Sequence, residues 1–163
     1  MSDQVTGTTD ASIPSQTPPV DGSQAEAAPK PHVLPGGYLW GTGRRKSAVA
    51  RVRIRPGQGA FLINKREIDD YFREDRDRKA VVAPLEATGN MGKFDVWVSI
   101  QGGGFTGQAG AIVLGLARAL RAYDAAYEAM LRDGNYLTRD SREKERKKYG
   151  QRGARRRFQF SKR

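Results

Sequence analysis

The sequence predicts an α/β (α+β) fold, a two-layer sandwich in which helices cover an open sheet. Three observations predict it. "SAVARVRIR" and "KFDVWVSI" alternate apolar and polar residues with the period of a half-buried strand. "GQAGAIVLGLARALRAY" repeats its apolar residues at helical spacing. The order of elements is strands, helix, strand, helix, which layers helices on a sheet.

"YLWGTGRRK" supplies a first strand, broken by its glycines. In "SAVARVRIR", Ala50, Val52 and Ile54 point one way while Arg51, Arg53 and Arg55 point the other, giving one dry and one cationic face. "PGQG" (Pro56 to Gly59) is a turn, and "AFLIN" is the next strand. "KREIDDYFREDRDRKAVVAPLEATG" is helical in character, as two segments meeting near Arg73. Ile68, Tyr71 and Phe72 form the apolar face of the first; Val81, Val82 and Leu85 form that of the second, whose regularity Pro84 limits. The acids here interleave with Arg and Lys, as on a salt-bridged exposed face. In "KFDVWVSI", Phe94, Val96, Val98 and Ile100 face inward.

"QGGGFTGQAG" then turns into the long helix, with Thr106 as its N-cap. Ile112, Val113, Leu116, Leu120 and Tyr123 form its buried stripe, and Arg118 and Arg121 its exposed side. A shorter helix over Ala125 to Leu131 ends at "DGN". These elements make residues 38–137 the globular domain.

The flanks differ in kind. Residues 1–37 hold six of the eight prolines, few large apolar side chains and a net charge of −3. They cannot bury enough surface to offset the entropy of ordering and are expected to be disordered. They lack the basic start and apolar stretch of a secretory signal and the arginines of a mitochondrial transit peptide. Residues 138–163 form a basic tail, in which Asp140 or Ser141 caps a short charged helix through Lys148 and extended chain follows Tyr149-Gly150. Residues 142–163 alone carry a net charge of +9.

Composition narrows the function. The 163 residues carry 29 Lys and Arg against 18 Asp and Glu, a net charge of +11. A pI near 10.3 is the electrostatic footprint of a protein that lives against polyanions. There is no cysteine and one histidine, His32, so thiolate and multi-histidine metal sites are excluded. No apolar run approaches the roughly 20 residues of a membrane helix, and no membrane partner is expected. No cofactor, metal or catalytic residue is expected either, since no nucleophile–base pair can be assembled.

Two motifs remain. "GRRKSAVARVRIR" places Arg44, Arg45, Lys46, Arg51 and Arg53 within one strand pair, where guanidinium groups can grip phosphates in bidentate fashion. The glycine turn, through Gly103, Gly104, Thr106 and Gly107, has two open readings. It is a phosphate contact at a helix start, or a tight turn that lets helix and sheet approach. It lacks the Gly-Lys-Ser/Thr of a Walker loop.

"GTGRRKSAVARVRI", "GGGFTGQAGAI", "LTRD", "ERKKYG" and the terminal "QFSKR" occur in that order over residues 38–163. Together they closely resemble the bacterial small-subunit ribosomal protein nine family. The resemblance implies an open, mostly antiparallel sheet with helices on one face and a left-handed βαβ crossover. It implies a cytoplasmic, ribosome-bound protein of the subunit head, seated on the 3′ domain of the small-subunit rRNA beside neighbouring head proteins. The tail would thread through rRNA to the anticodon stem-loop of the peptidyl-site tRNA. Carried over by position, Ser161, Lys162 and Arg163 face that tRNA. Arg155, Arg156 and Arg157 lie among rRNA phosphates, in a run of RNA-binding candidates that also includes Arg146, Lys147, Lys148, Tyr149, Arg152 and Phe158.

The chain departs from the family twice. Residues 1–37 have no family counterpart, and Arg157-Phe158 stands where the family often has a small residue and a proline. Fourteen extended residues span about 45 Å at about 3.3 Å each, enough for the tail to reach a neighbouring site. Two other readings compete: an enzyme of the same fold superfamily holding a nucleotide phosphate at Gly102–Gly110, and a free cationic RNA chaperone.

Overall fold

The computed structural model describes residues 37–161. The expected disorder of the N-terminal arm, apart from Gly37, and the terminal Lys162 and Arg163 lie outside the described residues. Strands β1 (Leu39–Arg45), β2 (Ala48–Pro56), β3 (Phe61–Ile63), β4 (Arg66–Glu67) and β5 (Phe94–Gln101) form one open sheet in the order β1-β2-β5-β3-β4. All neighbours are antiparallel except β3 and β5. A parallel pair needs a crossover, and β4 with helices α1 (Ile68–Tyr71) and α2 (Asp75–Ala87) supplies it. Helices α3 (Phe105–Tyr123) and α4 (Tyr127–Asp133) complete the second layer.

The alternation along β2 and β5 sorts the sheet's two faces. Ala50, Val52, Ile54, Val96, Val98 and Ile100 are buried, whereas Arg51, Arg53 and Arg55 are exposed. The dry face meets Ile112, Leu116 and Leu120 of α3, Val81 and Leu85 of α2, Phe72 after α1, and Leu131 of α4. Each large side chain so buried contributes about 1.5–3 kcal/mol by leaving water. Pro84 sits inside α2 and is itself buried, so the ring that limits the helix also fills the core.

Strand β1 is continuous rather than broken by its glycines. Gly41 and Gly43 pair in register with Val52 and Ala50 and lie directly beneath α3. A Cβ at Gly41 would collide with the Gly115 carbonyl oxygen, and one at Gly43 with that of Ala111. The glycines let helix and strand backbones touch. They do not interrupt the strand, because its hydrogen bonds are intact.

Four further expectations are corrected. Thr106 does not cap α3; Gly104 occupies the N-cap with no side-chain bond, and Thr106 lies in the first turn. The α3 buried stripe differs from the five residues named, because Val113 and Tyr123 are only half-buried while Ala109, Ala111, Leu114, Ala117 and Ala119 are buried. Asp77 belongs to the interior rather than to an exposed charged face, since it is 3% exposed beneath the start of α3. No helix forms over 141–148; the segment is irregular, as its lack of an apolar stripe would dictate.

Candidate nucleic-acid interface

The outer face of the sheet is built by the residues the core rejects. Cross-strand register sets Trp40 of β1, Arg53 of β2 and Trp97 of β5 in one row. The next row holds Thr42, Arg51 and Ser99. The Arg53 guanidinium lies 5.6 Å from the Tyr38 ring centroid, 6.0 Å from Trp40 and 5.8 Å from Trp97. Arg55 lies 5.5 Å from Tyr38 and 5.2 Å from Trp97. At these distances cation–π attraction holds the arginines over the rings.

This face carries two adjoining depressions. One, of about 670 Å³, is lined by Trp40, Arg51, Arg53, Leu62, Lys65 and Trp97 among others. The second, of about 590 Å³, runs on past Arg44, Arg51 and Gln101 to Gly102. Lys65 reaches the rim from the β3–β4 turn, where Asn64 and Lys65 both adopt left-handed backbone (φ 48° and 69°). The Asn64 amide is consumed in holding Ile100: it donates to the carbonyl at 3.0 Å and accepts from the N–H at 3.0 Å.

One carboxylate lies beside the arginines, and it is occupied. Asp95 Oδ1 accepts the N–H groups of Gln58, Gly59 and Ala60 at 2.9–3.1 Å, and Oδ2 accepts from Arg55 at 3.4 Å. The Ala60 N–H first, then those of Gln58 and Gly59 with the Arg55 guanidinium, hold its carboxyl below the usual range against opposing desolvation. Asp95 thus ties down the β2–β3 loop instead of cancelling the face's charge.

The remaining predicted residues divide between this face, the hairpin tip and the tail. Arg44, Arg51 and Arg53 are brought together on the face; exposed Lys46 stands at the β1–β2 turn with φ 50°. Arg45 turns the other way, donating to the Thr106 carbonyl at 3.3 Å and to Asp140 Oδ2 at 3.0 Å. Asp140 also takes the Arg142 backbone N–H at 3.1 Å and its guanidinium at 2.9 and 3.0 Å. These Arg142 bonds, with Arg45 behind them, hold the Asp140 carboxyl far below the usual range. Arg45 and Asp140 so fasten the base of the tail to the domain.

Beyond that clamp the tail is held by itself. Arg155 pairs with Glu145, and Lys148 lies 3.9 Å from the same carboxylate. The Arg152 guanidinium lies 5.9 Å from the Phe158 ring centroid. Arg146 donates to the Lys147 carbonyl at 3.2 Å, while Lys147, Arg156, Arg157 and Ser161 are exposed. Tyr149 and Phe160 are 101% and 91% exposed, so these rings pack on nothing among the described residues.

The glycine turn serves packing first. Gly102 and Gly103 are left-handed (φ 76° and 68°), and a Cβ on Gly102 would sit 2.5 Å from the Ser47 carbonyl oxygen. Gly107 is buried, and Thr106 engages Arg45 through its carbonyl and Asp77 through its hydroxyl at 3.5 Å. Gly103 and Gly104 open onto a depression of about 370 Å³ lined also by Arg66 and Arg73. No cluster of three or more His, Cys, Asp or Glu able to hold a metal occurs among the described residues. No helix among them is long and apolar enough to cross a membrane.

Sequence reasoning missed Tyr38, Trp40, Lys65 and Trp97 as site residues. The signal was present for both tryptophans: each stands in the outward phase of its strand, beside inward-facing Leu39 and Val96.

Known proteins answer to the same chain. It is 57% identical over 127 residues to the small ribosomal subunit protein uS9 of Rhodopirellula baltica, covering 78% of this chain and 93% of that protein. It is 58% identical over 123 residues to the protein of the same name from Treponema pallidum subsp. pallidum, covering 76% of this chain and 95% of that protein. Residues 43–163 match the family described as Ribosomal protein S9/S16, and the chain belongs to that family.

Proposed function

We propose that the chain holds rRNA of the small subunit's 3′ domain against its outer sheet face and tail, and that Ser161, Lys162 and Arg163 reach the peptidyl-site tRNA. Its membership makes it a structural ribosomal protein of the small subunit and not an enzyme. Neighbouring head proteins complete its setting. Residues 38–137 act as the anchoring domain and 138–163 as the threaded tail, while residues 1–37 are assigned no role.

The observation that carries this reading is the exposure of Tyr149 and Phe160 within a segment so rich in Arg and Lys. Rings left in water among cations that far outnumber the nearby carboxylates suit a segment enclosed by polyanion, with phosphates for the charges and bases for the rings. The sheet face offers the same two chemistries on a rigid frame, with Arg44, Arg51 and Arg53 as phosphate grips.

Co-sedimentation with small subunits after a high-salt wash tests the assignment, and it separates this role from that of a free RNA chaperone. The full chain should stay bound; release into the supernatant would contradict the reading. Deleting Ser161 to Arg163 should leave incorporation intact and weaken retention of peptidyl-site tRNA. Equal retention at moderate salt would overturn the tRNA role.

A further inference from the structure

We infer that the outer face of the sheet seats an unpaired RNA base on its tryptophans, tolerant of which base it is. The inference rests on the RNA-binding reading above and gives this part of the surface a chemistry of its own. Trp40, on the edge strand β1, is 47% exposed and Trp97, on the central strand β5, partly so, on a sheet face that no helix among the described residues covers. Trp97 meets the Tyr38 ring edge-on at 5.4 Å and both tryptophans lie beside Arg53, yet neither belongs to the core, which marks the row as a contact surface. Trp40, Arg53 and Trp97 form one cross-strand row, and the Arg53 guanidinium lies within 6.0 Å of both rings. The row therefore presents a broad cationic π surface, and nucleobases stack on aromatic rings and guanidinium planes alike.

The surroundings suit a nucleotide. Arg51 and Lys65 line the same depression, so a stacked base would have cations near its flanking phosphates. Lys65 is held there in left-handed backbone, which a non-glycine residue adopts only at a cost. Base identity has few readers here, the Ser99 hydroxyl and the cations themselves apart. The one side-chain amide lining the depression, that of Asn64, is spent on Ile100. A paired duplex would hide its base faces and meet only the cations, so the tryptophans select unpaired RNA. A protein occupant would need an acidic surface to match three cations whose neighbouring carboxylate is already engaged.

Both tryptophans of the chain stand on this face, so intrinsic fluorescence reports on it alone. The test titrates the full chain with an RNA hairpin carrying 2-aminopurine in its loop, and with a blunt duplex of equal length. The loop RNA should quench tryptophan fluorescence and bind about tenfold more tightly than the duplex. Trp40→Leu should lower loop affinity about fivefold to a hundredfold, leave duplex affinity and Tm unchanged, and be largely rescued by Trp40→Phe.

Equal binding of the two RNAs, or a Trp40→Leu chain that binds the loop normally, would overturn the stacking site. If Arg51→Gln then still weakened both RNAs, phosphate binding by this face would stand without the stack. If Arg51→Gln changed nothing either, the RNA reading of the face would fall as well. A Trp40→Leu chain that binds both RNAs normally yet enters subunits poorly would mean that a neighbouring protein covers the face, which also overturns the inference.

Discussion

The two faces of one sheet obey opposite rules. On the inner face, every second residue of β2 and β5 is buried, and β1 has glycine wherever α3 comes closest. On the outer face the intervening residues carry guanidinium groups and rings that fill no core. The same backbone alternation that makes the fold thus also segregates its working chemistry. Substitutions on the inner face should be read in stability, and those of the outer cations and rings in binding.

The largest effect should come from the inner face. Gly43→Ala puts a methyl into the backbone of α3, which neither element can vacate without separating. Overpacking of this kind costs about 1–3 kcal/mol or more, and with backbone on both sides loss of the cooperative thermal transition is expected. A Tm within a few degrees of the parent would refute the close approach. Leu116→Ala, at a fully buried position, should cost about 2–5 kcal/mol in urea unfolding and leave RNA affinity per folded molecule unchanged.

Asp95 connects the faces, because it stands on the outer side yet is buried by the loop it binds. Its carboxyl is lowered in the folded state relative to an unfolded value of about 3.9. Its contribution to stability is therefore complete above about pH 4 and lost as the pH falls through the folded value. Thermal scans from pH 6 downward should show a steeper acid decline for the parent than for Asp95→Asn. The smallest stability change belongs to Lys65→Gly, which suits the left-handed backbone better and removes a cation. Tm should hold or rise slightly while RNA affinity falls a few-fold, a pairing that a merely structural lysine would not produce.

Much of the inner face was legible in the sequence. The inward residues of β2 and β5, the two segments meeting near Arg73 and the helix ended by "DGN" follow from periodicity and turn chemistry, which are local. What was illegible depended on distant partners. Gly41 and Gly43 read as breaks because their reason lies some 70 residues away in α3. Asp77 and Asp140 read as surface charge and helix cap, since Thr106 and Arg45 come to them only in three dimensions.

The candidate site shows the same limit. Its arginines stand together in one strand pair that is continuous in sequence and were found, whereas its rings come from β1, β5 and the segment before β1. Only cross-strand register gathers Trp40 and Trp97 around Arg53. The family motifs supplied the ribosomal identity, which composition alone narrowed no further than a polyanion partner.

We propose that the outer sheet face grips RNA phosphates, while core packing on the inner face supplies most of the fold's stability. The most direct measurement is the salt dependence of RNA binding by the parent chain and by Arg44→Gln/Arg51→Gln/Arg53→Gln. Each lost phosphate contact should reduce the slope of log K against log salt by about 0.7–0.9, so a fall of about two to three is predicted at unchanged Tm. An unchanged slope with the fold intact would contradict the account.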